Sequence, residues 1–379
     1  MESEKFSNLS NPEVLLGLKS QHSSSKMSES SEEAQIKPQY LDKQWQWAYP
    51  TVEGIPPSPR GGHTATLVGA SLVIFGGHYY AGKKEGFVYL NDTIVLDVND
   101  NRWYRPRING TPPAPRYGHT SVLAGSRVVL FGGRGANSAH FRDLHALDPV
   151  TMTWYQGPEG GNAPGGRLDH SANLVGSKMF IFGGWNQDIF YNDLHVLDLA
   201  LMAWTQPETS GPSPSPRMGH VSVVVGTNIV IQGGFYFDPK KHEDGGLRMG
   251  SMLKECYLND LRVLDTETLV WSRLRVSGTP PYPCYGHTMD ISGSDIIVFG
   301  GYGAFQKGTE TKCDYFVDLN TDTMTWNRGN YIGTPPPPRH GHTSTPIGPH
   351  VLIFGGWEST KAMNDVVVIR EISDAKDAK

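Results

Sequence analysis

The sequence has little cysteine, no long apolar run and no excess of basic residues, and each shortage excludes a class of protein. Its 379 residues include 3 cysteines and no C-x-x-C pair, which argues against a disulfide scaffold or a structural zinc site. No window approaches the ~20 apolar residues of a membrane span, and the polar start MESEKFSNLS lacks the apolar core of a secretory signal. A formal net charge of -5 argues against a nucleic-acid or anionic-membrane partner. We therefore expect a cytoplasmic protein, with the nucleus as a second compartment.

Familiar catalytic motifs are also missing. The sequence contains no G-x-S-x-G elbow, no P-loop and no H-E-x-x-H motif, and nothing distinguishes any cysteine as a nucleophile. We therefore expect neither an enzyme nor a bound cofactor.

Glycine and proline are abundant instead, with 44 and 27 residues, and they mark a repeat. A "PR-x-G-H" run occurs six times, and a Gly-Gly pair follows each histidine by thirteen residues. An "ND-L-x-V-L-D" run comes later, as in 192–198, and a tryptophan follows it, thirteen residues before the next arginine. Only the interval between Gly-Gly and the ND run varies in length, from 9 to 26 residues. One connection in each repeat therefore absorbs all the length variation.

Each repeat has the pattern of four short β-strands. Two apolar runs separated by a glycine turn predict a hairpin, and the second run ends at Gly-Gly, where backbones approach closely without Cβ atoms. The "TIVLD" run predicts the third strand, and the tryptophan marks the fourth. The sixth repeat ends without its tryptophan, but Trp47 lies thirteen residues before Arg60. We therefore predict that an N-terminal strand around 44–49 completes the last repeat.

The chain resembles kelch repeats over about residues 45–372. The resemblance rests on the Gly-Gly pairs, the later aromatic residue and the period of roughly 50 residues. This resemblance implies an all-β fold, a six-bladed β-propeller of four-stranded antiparallel blades whose ring is closed by the N-terminal strand. We assign residues 41–372 to the propeller. Residues 1–40, rich in Ser, Lys and Glu, and the tail 373–379 are predicted to be disordered.

Five positions depart from the repeat. Gln232 replaces the phenylalanine before Gly-Gly, Asp169 replaces the glycine before His170, and Cys284 replaces the arginine of repeat five. Tyr315 and Asn320 stand where the same repeat should have its two aspartates. None of these changes the predicted fold.

One face of the propeller is predicted to bind a partner. In antiparallel blades, the variable connection between the second and third strands lies on the same face as the link between blades, and loops on a rigid scaffold commonly carry function. The residues directly after Gly-Gly, rich in aromatic groups suited to binding hot spots, are His78, Arg134, Trp185, Phe235, Tyr302 and Trp357, with Tyr79 and Tyr236 beside them. Adaptor members of the kelch family use such positions, so the resemblance implies a monomeric module that binds another protein or a peptide as an adaptor, scaffold or substrate receptor. These rings could instead simply pack over the channel mouth.

The repeated arginines have two possible roles. They could form a cationic ring for a carboxylate or phosphate, or each could serve its own blade by pairing with local carbonyl and carboxylate groups. Presence in nearly every blade favours the second role. These residues are Arg60, Arg116, Arg167, Arg217 and Arg339.

An iron-dependent enzyme is the alternative function. Plant kelch specifier proteins hold iron with an E-x-x-x-D-x-x-x-H run that starts directly after Gly-Gly. Repeat four has Asp238, His242 and Glu243 after its Gly-Gly pair, but the first ligand is missing and the register is short by one. A metal site supported by only two ligands of the expected set is weakly supported. The sequence therefore favours the binding module over the iron-dependent enzyme.

Overall fold

The protein is an all-β ring of six blades. A computed structural model describes residues 44–158, 162–237, 256–303 and 316–372. Each inner strand contacts the inner strands of both neighbouring blades, and the sixth contacts the first, so the six sheets close into a propeller. Within the described ranges, the helical structure is confined to a short 3-10 turn at Ala136–Ser138 and to Cys256, and no helix is long and apolar enough to cross a membrane.

Each blade has four antiparallel strands, ordered from the inner to the outer edge of its sheet. In blade 1 they are Thr64–Val68, Ser71–Phe75, Thr93–Asp97 and Arg102–Tyr104. In blade 2 they are Thr120–Ala124, Arg127–Phe131, Leu144–Asp148 and Thr153–Gln156. In blade 3 they are Ser171–Val175, Lys178–Phe182, Leu194–Asp198 and Ala203–Thr205.

The remaining blades repeat this order. In blade 4 the strands are Val221–Val225, Asn228–Phe235, Tyr257–Asp265 and Val270–Arg273. In blade 5 they are Thr288–Ser292, Asp295–Phe299, Phe316–Asn320 and Thr325–Arg328. In blade 6 they are Thr343–Ile347, His350–Phe354, Val366–Ile372 and Gln44–Ala48.

The outer strand of blade 6 comes from the N-terminal part of the chain, as the sequence predicts. Gln44–Ala48 pairs antiparallel with Val366–Ile372, and both of its tryptophans, Trp45 and Trp47, are buried. The ring is therefore closed by backbone hydrogen bonds between the two ends of the described chain.

Four blades carry a fifth strand that the repeat pattern does not predict. The link entering each of these blades runs parallel to the blade's outer strand before it turns inward, at Glu53–Gly54, Asn109–Gly110, Ser277–Gly278 and Asn330–Ile332. These segments have two or three residues, which is too short for a periodic signal. They cover edges that would otherwise present unpaired backbone groups.

The Gly-Gly pairs lie where neighbouring blades touch. In blade 3, a Cβ on Gly183 would lie 2.9 Å from the carbonyl oxygen of Arg217 and 3.0 Å from the His220 ring, both in blade 4. The amide of Gly184 donates a hydrogen bond of 2.8 Å to the same carbonyl. Both glycines have positive φ, so the position needs glycine for its conformation and for its contacts.

The repeated tryptophans bury the interfaces between blades. Trp154 of blade 2 packs on Phe75 of blade 1 with ring centroids 4.9 Å apart, and its indole nitrogen donates a hydrogen bond to Thr93. The same pairing closes the ring, where Trp47 lies 5.2 Å from Phe299 of blade 5. Each interface thus has an apolar cluster that neither blade could bury alone.

Candidate functional site

Two kinds of loop meet on one face of the ring, which we call the loop face. These are the connections between second and third strands and the links that enter each blade. Short hairpins extend some of the first kind, at His78–Tyr80 with Phe87–Tyr89, Trp185–Asn186 with Ile189–Phe190, and Trp357–Glu358 with Lys361–Ala362. In every blade, the residue after Gly-Gly forms an antiparallel backbone bridge with the residue after the repeated arginine or Cys284. The pairs are His78 with Gly61, Arg134 with Tyr117, Trp185 with Leu168, Phe235 with Met218, Tyr302 with Tyr285, and Trp357 with His340.

The second member of each pair is a loop-face position that the sequence reasoning did not single out. It is the variable "x" of the R-x-G-H motif, and it carries Tyr117, Tyr285 and His340 among others. The sequence does contain a signal, because this position changes from glycine to aromatic residues between two constant neighbours. Variation inside a fixed motif marks a side chain that does not serve the fold.

The paired residues form aromatic contacts around the axis. The His78 ring lies 4.1 Å from Tyr117 and 5.0 Å from Trp357, measured between ring centroids. On the other side, Tyr302 lies 5.4 Å from His340 and 5.9 Å from Tyr285. The contacts cross from blade to blade, so they build one surface rather than six separate ones.

These rings enclose a cavity of about 400 Å³ on the axis, which we call the central cavity. Its walls include His78, Tyr117, Trp185, Tyr285, His340 and Trp357. Leu168, Met218 and Phe87 add apolar surface. A concave site with aromatic walls and a few polar groups has the composition of a ligand pocket.

A closed ring of backbone hydrogen bonds forms the base of the central cavity. One residue from each blade donates its amide to the carbonyl oxygen of the preceding blade, at 2.7 to 2.8 Å, and the sixth bond returns to the first blade. All members have positive φ, and they are Gly62, Gly118, Asp169, Gly219, Gly286 and Gly341. Five members carry no side chain, so Asp169 is the member that places a polar group at the base.

Below this ring, an axial channel is lined by the repeated histidines. The Nε2 atom of His119 lies 3.1 Å from Thr64 Oγ1 of the preceding blade, and that of His170 lies 2.8 Å from Thr120 Oγ1. Blade 4 has Val221 at the hydroxyl position, and Gln232 supplies the oxygen to His287 instead. The departure at Gln232 therefore preserves a contact between blades, and the histidines serve the ring.

The five arginines are internal to their blades, in the second of the two roles that the sequence left open, and they do not form a cationic ring exposed to a partner. Each guanidinium is almost fully buried and binds the aspartate of its own ND run, with the closest N–O distances between 2.6 and 2.8 Å. The pairs are Arg60–Asp92, Arg116–Asp143, Arg167–Asp193, Arg217–Asp260 and Arg339–Asp365. The physical reason is that a buried guanidinium needs acceptors for its donors, and carboxylate and carbonyl groups of the blade provide them.

In blade 3, for example, Arg167 donates to both oxygens of Asp193, to the carbonyl of Gly183 and to the carbonyl of Gly165. We call this arrangement the arginine clamp. Burial alone would raise the pKa of Asp193, but hydrogen bonds from His195 and Arg167 lower that pKa well below its usual range. The clamp joins the link entering the blade to the start of the third strand.

The structure separates the predicted aromatic positions into two groups. His78, Trp185 and Trp357 line the central cavity, and Trp357 is the most buried of the three. Phe235 and Tyr302 lie beyond its walls, where Tyr302 is 47% exposed and Phe235 packs against Tyr285 at 6.1 Å.

The other three predicted residues also lie outside the cavity walls. The guanidinium of Arg134 donates to Tyr117 Oη at 3.2 Å and to Ser138 Oγ at 2.9 Å. Tyr79 is half-buried within the hairpin of blade 1, and Tyr236 packs edge-on against Phe190.

The weaker metal alternative cannot be placed in this geometry. Asp238, His242 and Glu243 lie outside the described residues, as do residues 1–40 and 373–379. Among the residues that the structure does describe, no group of three or more His, Cys, Asp or Glu side chains could hold a metal ion.

Comparisons with known proteins agree with this architecture. The chain is 31% identical to Kelch domain-containing protein 3 of Bos taurus over 317 residues, covering 79% of this chain and 64% of that protein. It is 28% identical to Host cell factor 1 of Homo sapiens over 326 residues, which is 82% of this chain but 12% of that protein. The solved structure titled "Structure of YjhT" matches with a TM-score of 0.60 and 20% identity over 84% of this chain and 97% of that one, which supports the fold alone. The family model "KLHDC2/KLHL20/DRC7 Kelch-repeats domain" matches residues 80–245 and 245–374, and the chain therefore belongs to the kelch-repeat family.

Proposed function

We propose that this chain is a protein-interaction module that binds a segment of a partner protein in the central cavity and on the surrounding loop face. The observation that carries the proposal is the aromatic surface contributed by both kinds of loop from neighbouring blades. Aromatic side chains lose little conformational entropy on binding and bury large areas, so they are common binding anchors.

The division between structural and variable positions supports this function. Arginine, histidine and Gly-Gly have the same contacts in nearly every blade, whereas the two positions that bridge on the loop face differ from blade to blade. The backbone bridge is the contact that all six blades share at those positions, so their side chains can differ between blades and are suited to recognise a ligand. The module would act as an adaptor, scaffold or substrate receptor, and the buried thiol of Cys284 fits a reducing cytoplasm or nucleus.

A random-peptide display library selected against the purified chain tests the proposal. Enriched peptides are synthesised and their affinities measured by fluorescence anisotropy with the double variant Trp185→Ala/Tyr302→Ala. We expect at least tenfold weaker binding, because both rings are accessible on the loop face. Trp357 is a poorer target, since its ring packs directly over Gly61 and its removal would disturb the fold.

Tyr104→Ala is the matched control. Tyr104 is an aromatic residue of the outer strand of blade 1 with 40% exposure, remote from the axis. Peptides that lose affinity with Tyr104→Ala, or that bind the double variant as tightly as the unchanged chain, would place recognition elsewhere. Thermal unfolding of both variants shows whether the ring is intact.

A further inference from the structure

The base of the central cavity carries a carboxylate that the fold does not need. Asp169 occupies a left-handed backbone position, with φ of 53°, in a ring whose other five members are glycine. Glycine adopts this conformation without strain, whereas an aspartate there is less favourable. The amide and carbonyl of Asp169 complete the ring as any residue's would, so its side chain must be explained separately.

Asp169 borders both spaces on the axis. Asp169 contributes to the wall of the central cavity and to the upper end of the axial channel. Its negative charge also reaches the phenols above it, because the pKa values of Tyr117 and Tyr285 are raised first by burial and then by Asp169. The acidic group therefore lies beneath two aromatic rings.

Among the residues that the structure describes, no basic side chain neutralises this charge. Within the described ranges the structure shows no hydrogen bond or ion pair to the Asp169 carboxylate, and burial raises its pKa to about 6. Arg134 is held above it by Tyr117 and Ser138. Asp169 is half-buried, so its carboxylate is open to a ligand and, among the described residues, has no counter-ion.

The histidines of the walls do not supply the missing cation. Burial lowers the pKa of His78 to about 4 and also lowers the pKa of His340. Both rings are therefore neutral at pH 7, and they act as aromatic wall. The central cavity thus combines an unneutralised acid with electron-rich rings, which attract cations through their faces.

We propose that the central cavity binds a lysine side chain of a partner protein, with its ammonium group paired to Asp169 and its stem against Trp185, Trp357 and Met218. Lysine fits better than arginine because the base offers one carboxylate, which satisfies a compact ammonium but leaves several of the five guanidinium donors without acceptors. The inference rests on the proposed function, because it names the chemical group that the loop face recognises.

A titration with a capped Gly-Ser-Lys-Ser-Gly peptide tests the inference directly. The indole N–H signals of Trp185 and Trp357 are followed by NMR, assigned with Trp185→Phe, while the peptide is added to millimolar concentration. We expect saturable shifts with the lysine peptide and at least tenfold weaker binding when norleucine or glutamate replaces the lysine. Equal binding of the norleucine peptide, or no shift with the lysine peptide, overturns the inference.

Variants of Asp169 provide the matched controls. Asp169→Asn keeps the shape and tolerates the left-handed conformation, and Asp169→Gly restores the residue of the other five blades, so both should fold. Both should bind the lysine peptide at least tenfold more weakly and leave the norleucine peptide unaffected. If display-selected peptides lose affinity with Trp185→Ala/Tyr302→Ala but not with Asp169→Asn, the proposed function stands and the lysine inference fails.

The pH dependence offers a second readout. The titratable groups that face the carboxylate are His78, Tyr117, His170, Tyr285 and His340, together with the other channel histidines. Since the ionised carboxylate binds the ammonium, affinity should fall about tenfold between pH 8 and pH 5. Asp169→Asn should remove this dependence, and any remainder in that variant measures the contribution of the histidines. An unchanged dependence in Asp169→Asn would contradict the ion pair.

Discussion

Blades 3 and 5 have the same order of strands, but they hold their loop-face connections differently. In blade 3, Arg167 forms the arginine clamp with Asp193, and its guanidinium also lies 4.1 Å from the ring centre of Tyr191. In blade 5, Cys284 replaces the arginine, and its sulfur lies 4.0 Å from the carbonyl oxygen of Gly300, the carbonyl that the arginine binds in other blades. Burial raises the pKa of the Cys284 thiol to about 12, so the group is a neutral apolar filler.

Blade 5 nevertheless keeps the Gly-Gly contact and the base-ring contacts that join the other blades to their neighbours. Gly301 donates to the carbonyl of Arg339 in blade 6 at 2.8 Å, and Gly286 takes its place in the backbone ring at the base of the central cavity. The backbone bridge of the loop face extends to a short two-stranded sheet, Cys284–Tyr285 with Tyr302–Gly303. The comparison shows that the clamp ties loops to their own blade, whereas closure and packing between blades maintain the fold.

Removing the closing strand should have the largest effect on stability. Deleting residues 1–50 removes Trp45 and Trp47 and the pairing with Val366–Ile372, and we expect a loss of more than about 5 kcal/mol in the free energy of unfolding. Deleting residues 1–38 should change little. Urea denaturation followed by tryptophan fluorescence measures both. Similar stability of the two truncations would refute the leading role of closure.

Breaking one clamp should be the next largest effect. Arg167→Ala leaves Asp193 and the carbonyl oxygens of Gly183 and Gly165 without their donor, so we expect a loss of about 4 kcal/mol. Arg273→Ala, on the exposed outer strand of blade 4, is the control and should lose less than about 0.5 kcal/mol. A loss for Arg167→Ala no larger than that of the control would show that the clamp is dispensable in every blade.

Introducing an arginine into blade 5 should be unfavourable by itself. Cys284→Arg buries a charge without the aspartate that other blades provide, and we expect a loss of about 3 kcal/mol. Tyr315→Asp restores the missing partner by sequence register, so the double variant should regain most of the loss. A double-mutant cycle by chemical denaturation measures the coupling. Additive effects would mean that the repeat register does not predict clamp geometry in blade 5.

The smallest effect concerns the inner strand of blade 5, where Asp290 lies buried beside the axial channel. Burial raises the pKa of Asp290 to about 6, so the folded state binds a proton more tightly than the unfolded state. Stability contributed by this group therefore falls as pH rises from about 4 to 6. Asp290→Asn should gain about 2 kcal/mol at pH 8 and nothing at pH 4, measured by urea denaturation at both values. A constant difference across this range would exclude ionisation as its cause.

The repeat pattern predicts most of the fold because each constant residue has one physical task. The spacing of Gly-Gly, histidine and tryptophan locates all six blades, and the displaced Trp47 predicts closure. The sequence does not predict the fifth strands, because a segment of two or three residues is too short to show the alternation of apolar and polar residues that marks a strand. Their presence depends on how the link passes the neighbouring edge, which is a property of the assembled blade.

The candidate site is harder to predict, because its geometry joins residues about 50 positions apart. Tyr117 and Tyr285 look like unimportant variation in a motif until the backbone bridges place them on the axis. Asp169 is visible in the sequence as a departure, but only the closed hydrogen-bond ring shows that its side chain lies at the base of the cavity. The arginines are the opposite case, since their repetition already favours a role within each blade, where each guanidinium is buried.

The closure by Gln44–Ala48 has a consequence for protein synthesis. The strand is translated before the other strands of the propeller, but its antiparallel neighbour, Val366–Ile372, is translated after them. At ordinary translation rates, this delay is roughly 15 to 65 s. Until then Trp45 and Trp47 lack the complete surface that buries them, which combines Phe299 and Phe316 of blade 5 with Val366–Ile372, so the nascent chain exposes an apolar peptide.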